Sequence, residues 1–413
     1  MMGINLDALR TIDDADVAGK RILLRVDLNV PVNGAAITDE TRMMRVLPTI
    51  LALCERGASV ILLSHFGRPN GKRVNTLSLK PVADALRAML HGTVVRFVDE
   101  CAGLRAEAFV NELAAGQVAV LENLRFHPGE EENCSSFARA LSTMGDVFVN
   151  EAFSTAHRAH ASTDAITRQL PSFAGPSLMA EIDALRAALH RPDRPVAAVV
   201  GGAKISTKIP VLSNLATRVD TMIIAGAMAN TFLYAMGHDV GASLCEPELA
   251  SVANEILAEA KTQNCEILLP HDVIVAEEFC ANASTKLCDV NEVCREDMIL
   301  DVGPSTLTDF KLLLARCSTL LWNGPLGAFE VEPFGHGTFE LARAAARLTR
   351  QGTLTTVAGG GDTVAALNAA GVTKDFTYVS TAGGAFLEWL EGKELPGVAA
   401  LARQNVDQLA RSA

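Results

Sequence analysis

Aromatic side chains are scarce in this chain. They make up 5% of 413 residues, with 2 Trp, 2 Tyr and 16 Phe. Large rings therefore do not dominate its cores, and the 31 glycines and the alanine-rich stretches point to close packing of helix on sheet instead. No run of about 18 apolar residues occurs, so no segment is expected to cross a membrane. Where a signal peptide would have a basic and then an apolar region, the chain has Asp7, Asp13, Asp14 and Asp16. A cytoplasmic location is expected. There is no C-x-x-C pair among the nine cysteines, and Cys280, Cys288 and Cys294 lack a neighbouring histidine cluster, so unpaired, reduced thiols are expected. Positive charge is not in excess either. The net charge of -12 argues against a nucleic-acid partner. The H-E-x-x-H, G-x-S-x-G, G-x-G-x-x-G, Walker A and protein-kinase signatures are all missing.

What is present is material for two domains. Hydrophobic residues reach 49% and charged residues 20% over a length that suits two ordinary cores. The negative charge is uneven. Residues 1–172 hold 18 Lys+Arg against 20 Asp+Glu, while the remainder holds 18 against 28. Apolar runs alternate with helical patterns throughout. Strands are expected at Arg21–Val26, Ser59–Ser64, Val94–Val98, Val118–Leu121 and Val147–Val149, with helices at Thr41–Arg56 and Leu77–His91 among them. Leu170–Ser177 (LPSFAGPS) and Arg191–Pro195 (RPDRP) interrupt the pattern, which places the domain boundary between Pro171 and Pro195. Beyond a short helix at Ala180–Leu189, strands resume at Val196–Val200, Thr221–Ile224, Glu266–Leu269, Thr319–Trp322 and Leu354–Val357. Helices follow at Ser305–Cys317 and His336–Arg350. This alternation implies an α/β protein of two doubly wound, parallel-sheet, Rossmann-like domains joined by a hinge. Ligands in such sheets bind beyond the carboxyl ends of the strands.

Those strand ends carry the unusual residues. RVDLNVP places Asp27 and Asn29 after the first strand, and Arg42 opens the next helix. SHFGRP offers His65 and Arg68, LENLRF offers Arg125, and AHRAH offers Arg158 between two histidines. Fork-shaped guanidinium donors together with Asp, Asn and His suit a ligand bearing phosphate and carboxylate. In the second half GGAKISTK follows a strand, and the i, i+4 spacing of Lys204 and Lys208 predicts two ammonium groups on one helix face near its N-terminus. AGGGDT follows another strand. Its glycines allow close approach of backbone N–H groups to phosphate, and Asp362 is a candidate ligand for Mg²⁺, directly or through water. WNGPLGAFE adds Asn323 and Glu330.

RVDLNVP, SHFGRP, LENLRF, AFSTAHRAH, GGAKISTK, WNGPLGAFE, GGGDT and STAGGAFLEWLEGK follow one another in the order seen in the phosphoglycerate kinase family, which the chain resembles from about Leu6 to about Leu401. The length is of the bacterial type. The resemblance implies reversible transfer of a phosphoryl group between 1,3-bisphosphoglycerate plus ADP and 3-phosphoglycerate plus ATP, in glycolysis, gluconeogenesis or carbon fixation. It implies a monomer working with Mg²⁺ and ATP or ADP, with no nucleic-acid or membrane partner. By resemblance the acid site falls on residues 1–175, at Asp27, Leu28, Asn29, Arg42, His65, Phe66, Gly67, Arg68, Arg125 and Arg158. The nucleotide site falls on residues 186–389, at Lys204, Lys208, Asn323, Glu330, Gly360, Gly361, Asp362 and Thr363, with Asp362 toward the metal. Arg42, Lys208, Gly360 and Gly361 are the expected catalytic groups, and residues 390–413 are expected to return to the first domain. Some positions depart from the family pattern. Ala225, Ala227 and Ala382 stand for glycines, Phe66 for leucine, Ser154 for glycine and Glu151 for aspartate, and the alanine methyls are expected to narrow the nucleotide pocket. Two rival readings are a kinase for a smaller acid, which would not need so many arginines, and a non-catalytic nucleotide-binding module, which would not need Arg42, Lys208 and Asp362 together.

Overall fold

The computed structural model describes residues 6–34 and 36–403. The chain divides into two compact units. Of the described residues, one is built from those up to Glu181 together with 394–403, and the other is Ile182–Lys393. Of the expected C-terminal return, 394–403 group with the first unit, and Gly397 N–H donates to Ala156 O at 2.8 Å. Residues 404–413 lie outside the described residues.

In the first unit β1 (Arg21–Arg25) is followed by the short antiparallel pair β2 (Val32–Asn33) and β3 (Ala36–Ile37), then α1 (Thr41–Glu55), β4 (Ser59–Leu63), α2 (Lys80–Met89) and β5 (Val95–Val98). There follow α3 (Leu104–Asn111), β6 (Val118–Leu121), α4 (Pro128–Glu131), α5 (Ser135–Ser142), β7 (Val147–Asn150) and β8 (Ser172–Ala174). Six of these strands make one sheet in the order β5-β6-β4-β1-β7-β8, every pair parallel. The central strands bury both faces, as a parallel sheet covered by helices on each side requires. Along α1, Met43, Val46, Ile50 and Leu53 recur at helical spacing and are buried in the core with β1 and β4 residues. The prolines of LPSFAGPS do not end the pattern as expected. Ser172–Ala174 forms the edge strand between them, and α6 (Pro176–Leu189) begins at the second proline, whose missing N–H costs a helix nothing at its first turn.

The second unit continues with β9 (Val196–Val200), α7 (Ile209–Ala216), β10 (Thr221–Ile224), α8 (Ala227–Ala235), α9 (Ala250–Thr262) and β11 (Glu266–Leu268). After β12 (Asp272–Ala276), β13 (Lys286–Asp289) and β14 (Met298–Val302) come α10 (Pro304–Leu314), β15 (Thr319–Asn323), α11 (His336–Arg350), β16 (Thr355–Ala358), α12 (Gly361–Ala369), β17 (Tyr378–Val379) and α13 (Gly383–Leu390). The main sheet is again parallel, ordered β11-β10-β9-β15-β16-β17. The direction of winding reverses between β9 and β15. A separate antiparallel sheet, β13-β12-β14, has no counterpart in the sequence-based expectation. β13 (KLCD) is mostly exposed and lacks the continuous apolar run that marks the main strands, whereas β12 carries one, VIVA at Val273–Ala276, that the sequence reading missed. No helix among the described residues is long and apolar enough to cross a membrane, and all nine cysteines are free thiols.

Candidate functional site

In the first unit, the loops after β1, β4, β6 and β7 lie at the carboxyl end of one sheet, and their side chains interlock. Asp27 receives most of the bonds. Its Oδ1 accepts from Asn29 N–H at 3.0 Å, and its Oδ2 accepts from Arg42 Nη1 at 2.8 Å and from Ser154 Oγ at 2.5 Å. Arg42 Nη1 also donates to Asn29 O at 2.9 Å, while Asn29 Oδ1 accepts from Gly67 N–H at 2.9 Å. Leu28 N–H donates to Ser64 Oγ at 3.0 Å, joining the β1 and β4 loops behind these groups. Asn123 joins β4 to β6. Its side-chain oxygen accepts from the N–H groups of Phe66 and Arg125, both at 3.1 Å, and its amide nitrogen donates to Phe66 O at 2.6 Å and Leu77 O at 2.9 Å. Phe66 is buried in the core, which anchors the loop carrying His65 and Arg68.

The charges are not all neutralised. Arg125 Nη1 donates to Gly67 O at 2.8 Å and its Nε lies 3.2 Å from Glu131. Arg68 is exposed and has no ion pair among the described residues. Arg158 donates to His157 Nε2 at 3.3 Å and has no carboxylate partner there either. Beneath them is a buried layer missed by sequence reading. Arg25, 1% exposed, donates to Ser162 Oγ at 2.9 Å and approaches His65 Nδ1 at 3.3 Å. Ser162 donates to Glu130 through its hydroxyl at 2.6 Å and its N–H at 3.0 Å. Burial raises the Glu130 carboxyl above its ordinary value, against the pull of Arg25. Burial first, then Arg25, Arg125 and Arg42, push His65 well below its ordinary value, with Asp27 opposing. His160 is pushed down to about 3 by burial, with Arg125, Arg25 and Arg158 adding to it. The imidazole of His65 is thus neutral at physiological pH, accepting at Nδ1 and donating at Nε2. Arg25 ends an apolar strand and is a charged residue with a legible position. Glu130 sits in an acidic run that reads as solvated surface, and no local signal marks it.

In the second unit the corresponding loops pack backbone on backbone. A Cβ at Gly201 would sit 1.9 Å from Pro325 O, so the β9 and β15 loops meet only because that residue is glycine. Asn323, buried at the end of β15, accepts from the Lys208 ammonium and donates to Gly359 O at 2.7 Å. Gly324 N–H donates to the buried Thr363 hydroxyl at 2.7 Å. Gly360 has φ 102°, and a side chain there would lie 2.7 Å from the Asn323 amide nitrogen. The helix α12 starts at Gly361, so its first N–H groups and positive end face outward beside Asp362, which is exposed. Burial pulls the Lys208 ammonium below its ordinary value, and Asp362 and Glu391 pull it back.

Two expectations are corrected here. Lys204 and Lys208 do not share a helix face. Lys204 is extended (φ -135°, ψ 130°), a single 3-10 turn separates it from Lys208, and α7 starts only at Ile209, with Pro210 in its first turn. Lys204 is exposed and Lys208 half-buried. The three alanines also differ in place. Ala225 is part of the hydrophobic core, and Ala382 is buried at the start of α13. Only the Ala227 methyl borders the ligand-sized space. That space is a cavity of about 340 Å³ at the reversal of winding, bordered by Gly202, Gly226, Leu300, Asp301, Glu330 and Asp362.

Among the described residues no group of three or more His, Cys, Asp or Glu could hold a metal ion by itself. The lone Asp362 carboxylate in the first turn of α12 fits Mg²⁺ that arrives already bound to phosphate oxygens and water.

The comparisons agree with one another. The family model described as phosphoglycerate kinase matches residues 12–393. The chain is 56% identical over 398 residues to a phosphoglycerate kinase from Xanthobacter autotrophicus, covering 96% of this chain and 100% of that one. It is 57% identical over 395 residues to one from Rhizorhabdus wittichii, covering 95% and 99%. The structure of phosphoglycerate kinase from Coxiella burnetii superposes with a TM-score of 0.89 at 41% identity, covering 96% and 99%. That from Pyrococcus horikoshii superposes with a TM-score of 0.80 at 31% identity, covering 97% and 100%.

Proposed function

This chain belongs to the phosphoglycerate kinase family, and from that premise we propose how its residues divide the work of moving a phosphoryl group between phosphoglycerate and a nucleotide. The acceptor carboxylate is already ionised, so direct in-line transfer needs neither a base nor a covalent enzyme intermediate. Catalysis then reduces to positioning and charge neutralisation. Arg68, Arg125 and Arg158, with the neutral His65, hold the phosphate remote from the reacting centre. Asp27 and Asn29 hold the hydroxyl and carboxylate region, and Leu28, Phe66 and Gly67 shape the floor. Arg42 and Lys208 neutralise the transferring phosphoryl oxygens, and the N–H groups of Gly360 and Gly361 donate to the same charge. Lys204, Asn323, Glu330 and Thr363 bind or brace the nucleotide. Asp362, together with the nucleotide phosphates, would hold Mg²⁺, which would supply positive charge to those phosphates.

The observation that carries the acid-site assignment is the pair Arg68 and Arg158, two guanidinium groups without a carboxylate partner among the described residues, at the carboxyl end of one sheet. A phosphate monoester is the counter-ion they fit. Replacing either by Ala should raise KM for 3-phosphoglycerate and leave KM for MgATP unchanged in a coupled assay. Equal turnover with acetate or carbamate as acceptor would overturn the assignment, because neither carries a second phosphate.

Reacting atoms must come within about 3–3.5 Å, and the two ligand sets belong to different units, so the units close when both substrates are bound. The protein acts as a monomer in the cytoplasm, without nucleic-acid or membrane partners, a reading supported by its acidity and unpaired thiols. Small-angle scattering on the free protein and on its complex with 3-phosphoglycerate and a non-hydrolysable MgATP analogue tests closure. An identical radius of gyration in both states would exclude it.

A further inference from the structure

Asp27 and Arg42 are paired with each other, and this creates a difficulty for Arg42. Its Nη1 lies 2.8 Å from Asp27 Oδ2, yet charge neutralisation requires the guanidinium at the transferring phosphoryl group. The Asp27 side chain is 13% exposed, so water does not readily replace a lost partner. A carboxylate left short of a hydrogen bond in such surroundings is costly. The Ser154 hydroxyl donates to the same Oδ2 at 2.5 Å, within the range of charge-assisted O–H···O⁻ bonds.

Ser154 lies in the single 3-10 turn Phe153–Thr155, in the segment after β7 that also carries Arg158. The turn itself does not need the hydroxyl. Thr155 N–H donates to Ala152 O at 3.1 Å and Ala156 N–H to Phe153 O at 2.9 Å. The Ser154 side chain is spent on a residue 127 positions away.

We propose that Ser154 is a positioning residue of the acid site, whose hydroxyl keeps Asp27 oriented toward the phosphorylated hydroxy acid while Arg42 exchanges Asp27 for the transferring phosphoryl group. The inference rests on the acid-site reading given above. It ties the Arg158 loop to the Asp27 loop, so one hydroxyl couples the grip on the remote phosphate to the grip on the acceptor end. The charged and titratable groups facing Asp27 are Arg25 at the end of β1, Arg42 on α1 and His65 after β4. Burial works to raise the Asp27 carboxyl, but the Arg42 guanidinium, the Ser154 hydroxyl and the Asn29 N–H hold it below its ordinary value.

The test is Ser154→Ala beside Ser154→Thr and Asp27→Asn, each assayed in both substrates across pH. Ser154→Ala should raise KM for 3-phosphoglycerate roughly tenfold, the scale of one hydrogen bond to a charged group. KM for MgATP should stay unchanged, and the acid limb of kcat/KM for 3-phosphoglycerate should move to higher pH. Ser154→Thr, which keeps the hydroxyl, should restore both. If Ser154→Ala lowers thermal stability but moves neither KM nor the acid limb, while Asp27→Asn raises KM, the inference fails and the acid site stands. If Asp27→Asn also leaves KM for 3-phosphoglycerate unchanged, the acid-site reading itself fails.

Discussion

The Asp301 carboxylate accepts a hydrogen bond of 2.8 Å from the backbone N–H of Gly337, in the first turn of α11. It also accepts from Val302 N–H at 2.9 Å, and Gly327 and Gly337 are both so near that a Cβ on either would meet Asp301 Oδ1, at 2.4 and 2.6 Å. Burial outweighs these donors and raises the carboxyl to about 7. The folded value thus lies above the ordinary 3.8, and the native state holds the extra proton between the two. This contribution to stability is complete below the unfolded value and is lost as pH rises toward about 7. The displacement corresponds to on the order of 4 kcal/mol. Asp301→Asn, which cannot ionise, should therefore gain in Tm relative to the parent between pH 5 and pH 8. An equal Tm difference at both pH values would show that Asp301 does not titrate in this window.

Arg42→Ala should lower kcat by on the order of a thousandfold, as for other arginines that meet charge developing during phosphoryl transfer. Affinity for 3-phosphoglycerate should change far less, since Arg42 is paired with Asp27 and meets the phosphoryl charge only during transfer. Steady-state rates with a ligand titration separate the two quantities. Near-normal turnover removes Arg42 from the transfer step.

Asp362→Asn should raise the Mg²⁺ concentration needed for half-maximal activity, because the substitution removes an exposed carboxylate at the start of α12. A metal titration of both proteins at fixed ATP measures it. An unchanged midpoint would place the metal on the nucleotide alone.

Glu130→Ala should destabilise the protein by ~3–5 kcal/mol, the usual result of leaving a buried charge without its counter-ion. Here the orphaned group is the Arg25 guanidinium, which reaches Glu130 through Ser162. Glu130→Gln keeps the acceptor for Ser162 and should cost less. Denaturant unfolding of the three proteins gives the order, and equal midpoints for all three would mean that Arg25 does not depend on Glu130.

The main sheets were legible because a strand buried on both faces must be a continuous apolar run, as VAAVV at Val196–Val200 is. The loops that carry chemistry were legible for the opposite reason. Polar residues just after such a run, like Asp27 and His65, are expensive to bury and stand out. β13 was not legible, since a mostly exposed antiparallel strand such as Lys286–Asp289 has no such run, whereas β12 carries one in VIVA at Val273–Ala276 and was simply missed. Lys204 and Lys208 misled because their i, i+4 spacing has meaning only inside a helix, and the helix starts after them.

By itself the sequence determined the α/β alternation, the loops at the strand ends and the family, all of which depend on neighbours along the chain. Only the tertiary structure decided which side chains meet: Ser154 with Asp27, Asn123 with Phe66, Lys208 with Asn323 and Arg25 with Ser162. Each pair joins the carboxyl ends of different strands or the loops that follow them. Their meeting is set by the strand order β5-β6-β4-β1-β7-β8 and β11-β10-β9-β15-β16-β17, which arises from burying whole sheets between helices and which no local pattern of residues encodes.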